Sequence, residues 1–354
     1  MSLLARLSKC LLALAGLSLL GQPGFAQTAV AGSQGAMSAS SPAQERSISD
    51  WLLRMHQASS KRAFIGTFVV SSANSMSSAR IWHVCDGEQQ MERVESLTGA
   101  PRTTLRRNDE VITFRPDSKT AVAEKRDALG LFPNLLNAAD SSIGQFYEAK
   151  YLGSERVAGL EADIVYLAAR DSLRYGYRIW SEKKTGLVVK LQTLDTDGQV
   201  LEQAAYSELQ LDAPVSMAKL AKMMGNVEGY KVARPEMVKT TALAEGWALR
   251  TPSAGFKPMS CYSRGVRAGD PASTDPAMQW IFSDGLATVS LFAEKYDRSR
   301  HVQEGWAILG ATRSMTKRLT EKLGDKSTDW WLTVVGEVPG LTLTGFANAL
   351  ERRK

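Results

Sequence analysis

The amino-acid sequence predicts an α+β protein that is built mainly from antiparallel β-strands. Between Phe64 and Leu211, short segments rich in aromatic and β-branched residues alternate with tight turns such as 195–198 (DTDG). These turns leave no room for crossover helices, so we expect neighbouring strands to run antiparallel. Such a sheet must cover its apolar face with its own helices, with a second layer of chain or with a ligand.

The first twenty-six residues have the features of an export signal. Arg6 and Lys9 precede the apolar run 11–20, and residues 24–26 (GFA) supply small residues for signal peptidase. That run is about half of the roughly 20 residues that a membrane-spanning helix needs. Ala, Ser and Gly dominate residues 27–44 without an apolar period, so this stretch is predicted to be a disordered lead-in. We therefore expect an exported, soluble mature protein.

Two domains are predicted in the mature chain, which is long enough for both. Residues 27–217 contain 21 basic and 23 acidic side chains, whereas residues 218–354 contain 20 basic and 14 acidic ones. We place the first domain at residues 45–211, a linker at 212–239 and the second domain at 240–354. The basic second domain favours an acidic protein partner or an anionic lipid surface, and nucleic acid does not fit an exported protein.

Helices are predicted at a few points by the spacing of apolar residues. A first helix follows from Ile48, Trp51, Leu52 and Met55, which occur at positions i, i+3, i+4 and i+7. Further helices are expected over residues 216–224, 313–323 and 342–351. The second of these has apolar residues at i, i+4 and i+8, and Gly324 is its predicted C-cap.

Two other segments carry clear local signals. Residues 279–292 (QWIFSDGLATVSLF) predict a hairpin around the Asp-Gly turn. Residues 129–136 (LGLFPNLL) are apolar, do not alternate and are interrupted by Pro133, which indicates a short helix or plug over the first sheet.

Residues for catalysis or metal binding are scarce, and neither an enzyme nor a cofactor is predicted. The sequence has three histidines and no G-x-S-x-G motif. His83 and Cys85 lie two residues apart on one strand, but two ligands do not make a metal site. Cys85 and Cys261 are expected to be buried or half-buried thiols, and a disulfide between them is the alternative.

Several segments in order along the chain resemble the RseB/MucB family. These segments are 51–55 (WLLRM), 64–70 (FIGTFVV), 95–102 (ESLTGAPR), 175–180 (YGYRIW), 195–203 (DTDGQVLEQ) and 282–290 (FSDGLATVS). None is a catalytic motif, so the resemblance rests on their combination and on the exported two-domain layout. It implies a periplasmic regulator of the sigma-E stress pathway that binds the periplasmic region of a membrane anti-sigma factor. Binding would shield that region from the site-one protease until lipopolysaccharide or lipoprotein releases it.

The resemblance also implies a fold and a lipid site. The first domain would be a curved half-barrel sheet over helices, similar to the carriers LolA and LolB, and the smaller α+β domain would contact the anti-sigma factor. An apolar concave face could hold acyl chains, and each buried methylene is worth about 0.8 kcal/mol. The candidates for its lining and plug are Phe64, Phe68, Trp82, Leu131, Phe132, Leu135 and Leu136, for which plain hydrophobic core is the alternative. A periplasmic lipid or lipoprotein carrier is the alternative function. A homodimer is compatible with the sequence.

Overall fold

A computed structural model describes residues 46–73, 75–87, 89–125, 142–251, 253–265, 277–323 and 326–353. The predicted export signal, the whole lead-in and the apolar segment 129–136 lie outside the described residues. No helix among the described residues is long and apolar enough to cross a membrane.

Two helices pack near the start of the fold, α1 (Ile48–Lys61) and α2 (Ile143–Phe146). The predicted first helix is confirmed. Its N-cap is Ser47, whose hydroxyl accepts from the backbone N–H of Asp50, while the Asp50 carboxylate accepts from the backbone N–H of Ser47. This reciprocal capping box satisfies two N–H groups that would otherwise lack partners. The buried face of α1 consists of Trp51, Leu52, Met55 and Ala58.

The large sheet has twelve strands. They are β1 (Phe64–Ser72), β2 (Ser75–Cys85), β3 (Gln90–Ser96), β4 (Thr103–Arg107), β5 (Glu110–Arg115), β6 (Thr120–Lys125), β7 (Tyr147–Val157), β8 (Leu160–Ala169), β9 (Gly176–Glu182), β10 (Val188–Leu194), β11 (Val200–Leu211) and β12 (Lys231–Ala233). Their spatial order is β12-β6-β5-β4-β3-β2-β1-β11-β10-β9-β8-β7. The strands pair antiparallel, as the turn pattern predicts. The exception is β12, which pairs parallel with β6.

The first strand of the meander, β1, pairs with its last strand, β11, and this pairing joins the meander into one open sheet. Phe64 of β1 lies opposite Leu211 of β11, and the register shifts by a bulge between Thr67 and Phe68. Bulges bend and twist a strand locally. The predicted fold class, mainly antiparallel β with large curved sheets and few helices, is therefore confirmed.

The segment 212–239 is not only a connection. Its helix α3 (Met217–Gly225) is capped by the Ser216 hydroxyl, which accepts from the backbone N–H of Lys219. Buried Leu220 packs with Val84 and Met91, so α3 covers one end of the large sheet. The strand β12 extends that sheet, whereas β13 (Met237–Lys239) begins the second one.

The second sheet has seven strands in the order β13-β15-β16-β17-β20-β19-β18. Its members after β13 are β15 (Lys257–Arg264), β16 (Ala277–Ser283), β17 (Thr288–Lys295), β18 (Gly305–Leu309), β19 (Thr312–Leu323) and β20 (Lys326–Gly336). A short pair, β14 (Trp247–Leu249) with β21 (Leu350–Arg352), and the helix α4 (Gly340–Ala349) complete the fold. The hairpin predicted at 279–292 is confirmed as β16 and β17.

The predicted helix over residues 313–323 is wrong, because these residues form β19. Met315 and Leu319 are four residues apart, which places them on one face of a helix and equally on one face of a strand. These residues form a strand and not a helix because they pair with β18 on one side and with β20 on the other. The predicted C-cap Gly324 lies outside the described residues. The predicted helix near 342–351 is confirmed as α4, although it begins and ends two residues earlier.

Candidate functional site

Side chains that could bind a metal ion do not cluster in the part of the chain that the structure describes. No group of three or more His, Cys, Asp or Glu side chains comes together there in a way that could hold a metal ion. Cys85 and Cys261 are both free thiols, Cys85 half-buried and Cys261 buried.

Phe64 and Phe68 lie in the core of the large sheet, with 4% and 6% of their surface exposed. Both rings meet Tyr206 edge-on, with ring centroids 6.3 and 6.1 Å apart. Gly66 lies between them on the same face, and an added Cβ would come within 2.6 Å of the Tyr206 ring. The two phenylalanines are thus covered by protein atoms in this state, and a lipid would have to displace that cover.

Trp82 does not share a face with these phenylalanines. Its cross-strand neighbour on β1 is Ile65, whereas Phe64 lies opposite His83. Because successive side chains of a strand point to opposite faces, Trp82 lies on the other side of the sheet. There its half-buried ring contacts two cations, with the Arg93 guanidinium carbon 4.4 Å and that of Arg80 5.4 Å from the ring centroid. The other four candidates, Leu131, Phe132, Leu135 and Leu136, lie outside the described residues.

His83 is a packed residue of the sheet interior. Its ring stacks on Phe64 at 4.9 Å with an interplanar angle of 17°, and its Nδ1 donates to the carbonyl oxygen of Arg62 at 2.8 Å. On the next strand Glu92 lies opposite His83, with 3.8 Å between Nε2 and Oε1, and Arg106 follows on the other side of Glu92 at 3.7 Å. Burial raises the pKa of the Cys85 thiol. This environment is that of a structural strand rather than of a metal ligand pair.

A buried ion pair joins the two sheets. Arg174, in the connection between β8 and β9, donates from Nε to Asp284 Oδ2 at 2.7 Å, and both side chains are fully buried. Asp284 belongs to the turn between β16 and β17, and Oδ2 also accepts from the Tyr147 hydroxyl at 3.0 Å. Its Oδ1 accepts from the backbone N–H groups of Leu286 and Ala287 at 2.9 and 2.8 Å. Each oxygen of this buried carboxylate therefore has donors.

The guanidinium of Arg174 is satisfied on its other sides as well. Its Nη1 donates to Asp171 and its Nη2 to the carbonyl oxygen of Ala254. Its two faces lie against the rings of Phe146 and Phe256, with 4.3 and 4.9 Å from its carbon to the ring centroids. A buried charge is tolerated only when it is paired and hydrogen-bonded in this way.

Three further contacts cross the same junction. Arg313 of β19 donates to the Tyr175 hydroxyl at 2.5 Å, and the Thr342 hydroxyl of α4 donates to the Leu173 carbonyl oxygen at 2.6 Å. Glu202 of β11 accepts from the backbone N–H of Ala311, in the turn between β18 and β19. Burial raises the pKa of Glu202, and this hydrogen bond partly opposes the rise. The junction is therefore polar and fixed in register.

Sequence reasoning did not find this junction. In the sequence Asp284 belongs to the Asp-Gly turn of a predicted hairpin, and Arg174 precedes the segment 175–180. That segment lies in the strand β9, which is buried almost throughout, with Tyr177 and Ile179 on one face and Trp180 on the other. A signal was present in Arg174 beside aromatic residues and in the Asp-Gly turn of an apolar hairpin, but nothing in the sequence links the two.

The comparisons with known proteins agree with this architecture. The MucB/RseB N-terminal domain matches residues 47–224, and the MucB/RseB C-terminal domain matches residues 241–351. The sigma factor AlgU regulatory protein MucB of Pseudomonas aeruginosa is 28% identical over 306 residues, which are 86% of this chain and 91% of that protein. The sigma-E factor regulatory protein RseB of Haemophilus influenzae is 23% identical over 303 residues, 86% of this chain and 90% of that protein.

Solved structures give the same result. The Pseudomonas aeruginosa MucA/MucB complex contains a chain with a TM-score of 0.66 and 27% identity, covering 86% of this chain and 99% of that one. A crystal structure of MucB in complex with MucA(peri) has a TM-score of 0.64 and 26% identity, covering 86% and 99%. Both domain matches occur in order and span nearly all of the described residues, and the resemblance read from the sequence is confirmed. This chain belongs to the MucB/RseB family.

Proposed function

We propose that this protein is a periplasmic negative regulator of sigma-E signalling that binds the periplasmic region of a membrane anti-sigma factor. The observation that carries the proposal is the likeness over 86% of the chain to MucB, which has been solved with MucA(peri). Binding would cover the segment that the site-one protease cleaves. In this role the protein needs a recognition surface and no catalytic group.

Lipid is proposed as the releasing signal. The apolar face around Phe64 and Phe68 lies on β1, and β1 pairs with β11, which carries Glu202 of the junction. Acyl chains of lipopolysaccharide or lipoprotein that enter this face would displace its cover and change the packing of the strands that carry the junction. A few buried methylenes, at about 0.8 kcal/mol each, could shift a binding equilibrium severalfold.

The test is protection from cleavage. The mature protein is mixed with the periplasmic domain of its cognate anti-sigma factor and the site-one protease, and cleavage is followed over time. We expect slower cleavage with the protein present and a return to the uninhibited rate when lipopolysaccharide is added. Unchanged cleavage would refute the regulatory role. Protection that lipopolysaccharide leaves intact would refute the lipid signal alone.

The alternative, a lipid or lipoprotein carrier, makes a different prediction. A carrier hands its cargo to an outer-membrane acceptor, whereas the regulator only binds lipid. A fluorescent acylated peptide, loaded on the protein and mixed with acceptor vesicles, distinguishes the two. Transfer without any effect on cleavage would favour the carrier.

A further inference from the structure

The strand β18 ends the seven-stranded sheet, and no other strand among the described residues pairs with its outer edge. Exposed edges of natural sheets are blunted by charges, bulges or very short strands, because an open edge pairs with other chains. The edge strand β7 has a bulge between Tyr151 and Gly153 and carries four charged side chains, Glu148, Lys150, Glu155 and Arg156. The edge strands β12 and β13 have three residues each. By contrast β18 (GWAIL) has no charge, and its register with β19 is regular.

The backbone of β18 offers hydrogen-bonding groups at this edge. The two-residue turn Gly310-Ala311 closes on the pair Leu309 and Thr312, with Gly310 at a positive φ of 59°. Such a closing pair exchanges both hydrogen bonds, and bonded pairs alternate along an antiparallel ladder. The N–H and C=O groups of Trp306 and Ile308 therefore point away from β19.

The side chains of β18 are apolar and exposed. Exposed fractions are 50% for Trp306, 62% for Ile308 and 69% for Leu309. Trp306 and Ile308 share one face, where the Trp306 ring lies against Gly340 at the start of α4. Leu341 of the same helix is also 60% exposed. Neighbouring exposed apolar side chains, such as Trp306 and Ile308 on one face of this strand, are typical of a binding surface.

The chain around β18 is basic. Residues 295–318 contain six basic side chains, Lys295, Arg298, Arg300, Arg313, Lys317 and Arg318, against the acidic Asp297 and Glu304. Two of these cations form ion pairs with acids outside this range, Arg300 with Glu294 and Arg318 with Asp329. Opposite charge attracts a partner and fixes its register more than it adds affinity. An occupant with acidic side chains between its apolar ones fits this surface better than a second copy, whose own β18 region would bring equally basic residues.

We propose that β18 is a docking strand, to which an extended acidic segment of the anti-sigma factor's periplasmic region adds as an eighth strand. This inference rests on the proposed function, because it names where that same partner binds. Strand addition supplies affinity through main-chain hydrogen bonds and specificity through alternate side chains. Here the outward groups of Trp306 and Ile308 would make the bonds, and their side chains would take the apolar residues of the partner.

The hairpin that carries this strand is held in place by the large sheet. The Gly310 position leaves no space for a side chain, since an added Cβ would lie 2.8 Å from Ser72 Cβ on β1. Glu202 accepts from the N–H of Ala311, the next residue. An edge fixed at its tip loses little conformational entropy when a strand is added. It also places the docking strand in direct contact with the domain that we propose to bind lipid.

The test uses the full mature protein and the purified periplasmic domain of the cognate anti-sigma factor. Ile308→Pro removes one outward N–H and keeps the bonds to β19, whereas Ile308→Thr keeps that N–H. We expect the dissociation constant to rise at least tenfold for I308P and less than threefold for I308T. Ile308→Glu opposes an acidic partner and should weaken binding similarly to I308P, whereas Leu152→Glu on the edge strand β7 should leave binding unchanged. Exchange of the Trp306 and Ile308 amide protons should slow in the complex.

The outcomes of this test distinguish failure of the docking strand from failure of the proposed function. If the wild-type protein binds the domain and I308P and I308E bind it equally well, the docking strand is refuted and the regulatory role stands. The same holds if β18 amides exchange at an unchanged rate in the complex, or if β18 instead pairs with a second copy in a dimer that I308P dissociates. If the wild-type protein does not bind the domain at all, both proposals fail.

Discussion

Arg174 Nε donates to Asp284 Oδ2 at 2.7 Å, and no part of either side chain is exposed to solvent. The two residues are 110 positions apart and lie in connections of different sheets, Arg174 between β8 and β9 and Asp284 between β16 and β17. The cost of burying two charges is offset here by a complete set of partners, including the Tyr147 hydroxyl and two backbone N–H groups. This pair therefore fixes one orientation of the two sheets. Its removal should affect the stability of both sheets.

Replacing Arg174 with Met should destabilise the fold strongly. Asp284 would keep its other donors but would lose its counter-charge while still buried. Breaking a buried pair from one side costs about 3–5 kcal/mol. Urea unfolding of the wild-type protein and R174M, followed by tryptophan fluorescence, measures this difference.

A matched control is Arg62→Ala, which removes an exposed pair. Arg62 Nη1 lies 2.8 Å from both carboxylate oxygens of Asp212, but the two side chains are 34% and 69% exposed. Exposed pairs contribute about 0–1 kcal/mol. If R174M and R62A lose the same free energy of unfolding, burial does not make the Arg174 pair more important for stability than the exposed pair.

Phe68→Ala should cost much more stability than Trp82→Ala. Phe68 is buried against Tyr206, so its truncation leaves a cavity and costs about 3–5 kcal/mol. Trp82 is half-buried on the opposite face and contacts arginine side chains, so its truncation should cost about half as much or less. Chemical denaturation of both variants checks the order.

The same two variants bear on the lipid hypothesis. If Phe68 lines a lipid site, F68A should also weaken binding of a fluorescent fatty acid, with W82A as the control that leaves it unchanged. Loss of lipid binding in W82A with retention in F68A would place the site on the other face of the sheet. The two variants thus distinguish a lipid site on the Phe68 face of the sheet from one on the Trp82 face, two residues that the sequence analysis placed in one site.

The strands could be predicted from the sequence because their signals are local. Turns such as 195–198 and 283–286 fix hairpins by residue type alone, and the helical spacing of Ile48, Trp51, Leu52 and Met55 marks α1. The strand β19 could not be predicted in this way. A spacing of four between Met315 and Leu319 fits both a helix and a strand, and only pairing with β18 and β20 distinguishes them.

The junction and the edge could not be predicted, because both depend on long-range arrangement. Arg174 meets Asp284 only after two sheets have formed and packed. The strand β18 lies at the edge because β19, and not β18, pairs with β20. The sequence does not reveal this strand order. The apolar faces, by contrast, follow from alternation, and the burial of Phe64 and Phe68 agrees with the plain-core alternative.

The two cysteines should differ in reactivity. Burial raises the pKa of Cys261 to about 11, and the negative charge of Glu245 acts in the same direction. Cys85 is only half-buried and therefore more accessible to a reagent, although burial raises its pKa as well. Thiolate is the reactive form, so at pH 8 a thiol reagent should modify Cys85 in the native mature protein and leave Cys261 intact.

Full modification should require unfolding. In denaturant without reductant, two thiols per mature chain should react, because both cysteines are free. A count of zero there would mean that they form a disulfide. Cys85→Ser is the control, since it should abolish the native reaction and leave one thiol in denaturant.

Glu202→Gln should change how stability depends on pH. Burial raises the pKa of Glu202 above its ordinary value of 4.5, so the folded state holds its proton more tightly than the unfolded state does. The stability that this adds is complete below pH 4.5 and is lost as the pH rises through the raised pKa. Gln stays neutral and can still accept from Ala311, so E202Q should gain stability relative to the wild-type protein between pH 4.5 and pH 7.5. Urea midpoints at both pH values measure this gain, and a loss for E202Q at pH 7.5 would show that the charged carboxylate is the stabilising form.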